Sequence, residues 1–177
     1  MSTEIPAPDG PALSHAACTA RPSIRVAVVM EREAAPNQWE NWRFRIAEVV
    51  INEDAFGTQA RRLRDDGKLQ WVLHPGFTLE LFRDQAEGYW LNLSSGAPVW
   101  FVVWRVDDED PSRAWPETVS LSYDEAGRWL DAQERVDNVP LQPDLVAWLQ
   151  AYTDVHYQPE PKKRRRPQSF VSPAERR

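Results

Sequence analysis

Cysteine, histidine and glycine are scarce in this 177-residue chain, and each scarcity closes off a class of chemistry. The single cysteine, Cys18, cannot form an internal disulfide, which fits a reducing compartment. Its one basic neighbour is Arg21, too little to depress a thiol pKa for nucleophilic work. The three histidines, His15, His74 and His156, each lack a second ligand at metal spacing and read as structural. The seven glycines are scattered singly, so neither a G-x-G-x-x-G turn nor a Walker loop exists to cradle phosphates. Long apolar runs are missing too: Val26–Met30 and Val99–Trp104 are far too short to cross a bilayer. The first 23 residues contain Glu4 and Asp9 and no continuous apolar stretch, so they do not read as a secretory signal. The expected location is the cytoplasm, with no membrane contact.

Two acidic clusters look chemical and have simpler explanations. Asp107-Asp108-Glu109-Asp110 lacks the alternating ligands and central glycine of a calcium loop and is followed by Pro111, as a solvated loop would be. Asp124 and Glu125 are adjacent, so on a helix they point about 100° apart and suit N-terminal capping rather than a carboxylate dyad. No catalytic residue, metal ligand or cofactor is assigned.

Hydrophobic patterning predicts an α+β fold in one domain. Residues 1–23, rich in proline, alanine, serine and threonine, are expected to be a disordered leader. The domain spans 24–157 and an extended basic tail follows over 158–177. Strands are expected at 24–33 and 43–53, with a helical turn or loop at 59–64. Leu69, Trp71 and Leu73 alternate before a His74-Pro75-Gly76 turn, and Phe77, Leu79 and Leu81 continue beyond it. Tyr89, Leu91 and Leu93 suggest another strand, Val99–Val106 a central one, and Val119, Leu121 and Tyr123 the last. The expectation is one antiparallel sheet of six or seven strands, able to curl into a half-barrel, under two C-terminal helices. The first helix opens on the capping box Ser122/Glu125; the second starts near Pro143-Asp144 and buries Leu145, Trp148, Leu149, Tyr152 and His156.

What the chain has in abundance is tryptophan and a division of charge. Most of the nine tryptophans fall on apolar patterns, but Trp39 and Trp42 lie in a polar stretch ending at Arg43. They can fold back over the sheet as a plug, or stand out as an aromatic anchor for a partner. Up to Pro161 the formal charge is −12; from Lys162 onward it is +6. The run Lys162-Lys163-Arg164-Arg165-Arg166 sits between Pro161 and Pro167, with Phe170 beyond. Such a tail can neutralise nucleic-acid phosphates, lie along the chain's own acidic surface, or dock on an acidic partner protein. The acidic body and the lack of a reading module weigh against nucleic acid. The expected partner-binding residues are therefore Lys162, Lys163, Arg164, Arg165, Arg166, Phe170, Trp39, Trp42 and Arg43.

Several stretches together carry a resemblance: Val26–Arg32, the Trp39/Trp42-Arg43 segment, Glu87–Leu93, Ser122–Ala126 with Trp129–Glu134, and His156–Arg164. Over residues 24–170 the chain resembles an uncharacterised proteobacterial family, a domain of unknown function. Its members are typically encoded beside molybdenum-dependent formate dehydrogenase and its accessory factors, and some carry the label molybdopterin-guanine dinucleotide biosynthesis protein A. The guanylyltransferases properly so named open with a Gly-Gly nucleotide loop, which this sequence lacks. The resemblance implies a non-enzymatic accessory or assembly protein binding formate dehydrogenase or its maturation machinery. The alternative it implies is an enzyme or carrier handling the molybdenum cofactor.

Overall fold

The structure is a computed structural model that describes residues 21–34 and 41–159. Seven strands and three helices run β1 (Ser23–Ala34), β2 (Trp42–Ile51), β3 (Arg61–Asp65), β4 (Leu69–Glu80), α1 (Ala86–Ser94), β5 (Val99–Val106), β6 (Ala114–Ser120), α2 (Tyr123–Asp131), β7 (Arg135–Pro140) and α3 (Pro143–His156). The α+β class holds, but the strands form two antiparallel sheets instead of one. A four-stranded sheet has the order β2-β1-β4-β3 and a three-stranded sheet the order β6-β5-β7. They meet where β2 packs on β7 and β4 on β6, and they do not close into a barrel.

Four local expectations are corrected. Gln59–Arg64 is no helical turn; Arg61–Asp65 pairs with β4 as the edge strand β3. His74-Pro75-Gly76 does not turn the chain but bulges within the unbroken β4. Val26 and Val28 face Phe77 and His74, so β4 carries one extra residue there. Pro75 has no N–H to offer a ladder, and Gly76 takes φ 95°, both suited to a bulge. Tyr89, Leu91 and Leu93 belong to helix α1, whose buried face is Ala86, Gly88, Tyr89 and Asn92. Tyr123 opens α2 rather than ending a strand. Among the described residues the α-helices number three, with β7 between α2 and α3, a strand announced only by Val136 and Val139.

The Ser122 cap forms as expected: its Oγ accepts from the Glu125 N–H at 3.3 Å. The Glu125 carboxylate does not close the box, however; it accepts from Ser120 Oγ at 2.5 Å instead. Between the sheets lies the main core, with Val26, Val28, Leu81, Trp100, Val102, Leu121 and Leu149 all fully buried. Leu145 and Leu149 bring α3 onto this core, and α1 packs against both α2 and α3.

The far face of the larger sheet is a smaller apolar layer of Ala27, Val29 and Leu73 under Phe56 and Trp71. Glu31 sits beside it, 4% exposed. Its carboxylate accepts from Arg45 Nε at 2.5 Å and from Trp71 Nε1 at 2.7 Å. The Arg45 hydrogen bond is the main cause holding the Glu31 pKa below its ordinary 4.5, against the opposing effect of burial. The depressed value means that this group stabilises the fold above about pH 4.5 and loses that contribution as pH falls through the folded pKa. Glu31→Gln is expected to cost about 1–3 kcal/mol at pH 7. The penalty should shrink below pH 4, which urea titrations at pH 7 and pH 3.5 would read; an equal penalty at both would sink the assignment.

Candidate functional site

The polar end of the inter-sheet space is lined by β1, β2, β5, β7 and the loop before β6. Arg32 on β1 lies over the Trp42 ring of β2, 4.3 Å from its centroid. Its Nη1 donates at 2.9 Å to the carbonyl of Ser112, in the loop before β6. This guanidinium therefore bridges the two sheets, and the space beside it holds two lobes that share Phe44 and Ser112 in their linings.

In the first lobe, of about 540 Å³, Trp42, Arg43 and Phe44 face Trp104 and Arg135. Phe44 and Trp104 are tilted rings with centroids 6.2 Å apart. Arg135 covers Trp104 at 5.6 Å from its centroid. Trp104 Nε1 is buried and has no hydrogen-bond partner among the described residues. Arg43 is exposed, and its contact with Glu33 is a loose 3.7 Å between two solvated side chains. Such a pair contributes little to stability and is easily exchanged for another anion.

The second lobe, of about 410 Å³, is lined by Arg32 and floored by Met30, Phe44, Val72 and Ala114. His74 lines it, and burial pushes this imidazole below its ordinary pKa, so it stays neutral at pH 7. Two nearby carboxylates feel the Arg32 charge but are mainly held low by other bonds. Asp65 accepts from the Gly67 N–H and from Gln70, and Asp110 from Ser112 Oγ and N–H. No group of three His, Cys, Asp or Glu side chains able to hold a metal ion is found among the described residues.

Of the nine expected partner-binding residues, the structure places Trp42 and Arg43, side by side at the start of β2. Trp39, Lys162 to Arg166 and Phe170 lie outside the described residues. Trp42 acts neither as a fully buried plug nor as a free anchor: it is half-buried, with one face covered by Arg32. Arg32, Trp104, Ser112 and Arg135 were not singled out as site residues.

The family model for proteins of unknown function DUF3305 matches residues 25–166. The chain belongs to this family. The DUF3305 match takes in the whole domain, the Trp39–Arg43 segment and the basic run Lys162–Arg166, and stops before Phe170. No curated protein and no solved structure matches the chain. No helix among the described residues is long and apolar enough to cross a membrane.

Proposed function

We propose that this DUF3305 protein is a non-enzymatic accessory factor that grips another protein at two places, the Trp42–Arg43 end of the cleft and the basic tail. The observation that carries the reading is that the family match runs past α3 through all five cations, Lys162 to Arg166. A cationic segment on a body of formal charge −12 is suited to an acidic partner that the body alone would repel. The first lobe supplies the complement: an indole stacked on a guanidinium and an exposed arginine. Tryptophan and arginine are the residues that most often dominate binding energy. The resemblance to a family encoded beside molybdenum-dependent formate dehydrogenase makes that enzyme, or its maturation machinery, the partner to test.

The test is affinity capture from the native cytoplasm, with mass identification, using three forms of the full chain. Replacing Lys162 to Arg166 by alanine is expected to weaken capture of formate dehydrogenase or its accessory factors by at least about tenfold, with an unchanged melting temperature. Trp42→Ala with Arg43→Ala should weaken it comparably through loss of a hot spot. Equal capture by all three forms would remove both contacts from the interface. A pterin copurifying with the wild-type chain would favour cofactor handling over assembly.

A further inference from the structure

We propose that the second lobe of the cleft is a binding site for a small planar organic anion, an aromatic ring carrying one carboxylate or phosphate. This goes beyond the partner-binding reading and does not depend on it. The lobe is lined from both sheets, and its volume of about 410 Å³ is within the usual range of ligand sites. Its floor is apolar, and Phe44 and Trp115 give it aromatic walls. Trp115 is 39% exposed although it lines the lobe, so its indole could cover a ring bound there.

The charge of the lining specifies the rest of the ligand. Arg32 and Arg113 both line the lobe and no carboxylate among the described residues does, on a chain whose formal net charge is −6. The Ser112 carbonyl takes one of the five N–H donors of Arg32. Arg113 reaches Asp107 only at 3.9 Å, with its side chain 70% exposed, so its guanidinium can turn to an oxyanion at small cost. Gln70 and the neutral His74 add hydrogen-bonding groups without adding charge. An apolar slot with two guanidinium groups at its rim favours a ring that enters the floor and an anion that stays at the edge.

Calorimetry on the full-length chain tests this with 2-naphthoate, 2-naphthyl phosphate, uncharged 2-naphthalenemethanol and inorganic phosphate. One equivalent of naphthoate or naphthyl phosphate should bind, the tighter of the two showing which anion the rim prefers. The uncharged alcohol should bind about tenfold more weakly, as should either anion to Arg113→Ala. Alanine at Lys162 to Arg166 should leave the affinity unchanged, which separates this site from the tail. Absence of saturable binding by both anions overturns the proposal. So does equal binding of the alcohol or of inorganic phosphate, no effect of Arg113→Ala, or loss of binding with the tail cations.

Discussion

Asn92→Ala is expected to remove at least about 3 kcal/mol of folding stability, a large share of the roughly 5–15 kcal/mol that holds a domain together. Asn92 lies in α1, 1% exposed, and ties three segments with one side chain. Its Nδ2 donates to the carbonyls of Val99 at 2.8 Å and Leu121 at 3.0 Å. Its Oδ1 accepts from the Val99 N–H at 3.0 Å. Alanine would withdraw the partners of three backbone groups, the buried Leu121 carbonyl and the partly buried Val99 amide and carbonyl, at about 1–3 kcal/mol each where water cannot replace them. Asn92→Asp should not rescue the fold, because a carboxylate can accept from Val99 but cannot donate to the two carbonyls. Urea unfolding would show the loss as a lower midpoint with an unchanged slope. An unfolding free energy within about 0.5 kcal/mol of wild type would mean that the clamp is not needed.

Trp100→Ala is expected to cost about 3–5 kcal/mol and lower the melting temperature by roughly 10 °C or more. Among the described residues Trp100 is the largest fully buried side chain, and it belongs to the main core. Its role is polar as well: Nε1 donates to Gln142 Oε1 at 2.9 Å, and Gln142 Nε2 donates in turn to the carbonyl of Val49. One indole thus connects the smaller sheet, the start of α3 and the edge strand β2. Alanine would leave a cavity and also deprive Gln142 of its donor. Trp100→Phe keeps most of the bulk and loses only the N–H, so it should fall between the two. Phenylalanine as damaging as alanine would show that the hydrogen bond outweighs the packing.

These two residues mark the boundary of what could be read from the chain. Trp100 was legible as core because an apolar strand with no polar face has to be buried on both sides. Asn92 was not, because α1 buries a glycine and an asparagine, which no hydrophobic periodicity can flag. In nine residues, Tyr89, Leu91 and Leu93 satisfy a two-residue repeat, while Ala86, Tyr89, Trp90 and Leu93 satisfy a helical one. Tertiary contact decided for the helix: Gly88 lies so close to Ser122 that a methyl group there would overlap its Oγ. Likewise, Pro75-Gly76 has the composition of a turn. It became a bulge because β1 is long enough, at 12 residues, to pair along both halves of β4.

The candidate site divides in the same way. Trp42 and Arg43 stood out because aromatic and cationic residues in a polar stretch have no core to belong to. The pairing of Arg32 with Ser112 spans 80 positions, so no local pattern could join them. What is written locally in this chain is the α+β class, the run of antiparallel strands, the Ser122 cap and the last helix, along with the separation of acidic body from basic tail. Each follows from neighbours in sequence, through capping, side-chain period and composition. The split into two sheets, the Asn92 clamp and the arginine-rimmed cleft arose only when distant segments met, because each depends on which groups burial leaves needing a partner.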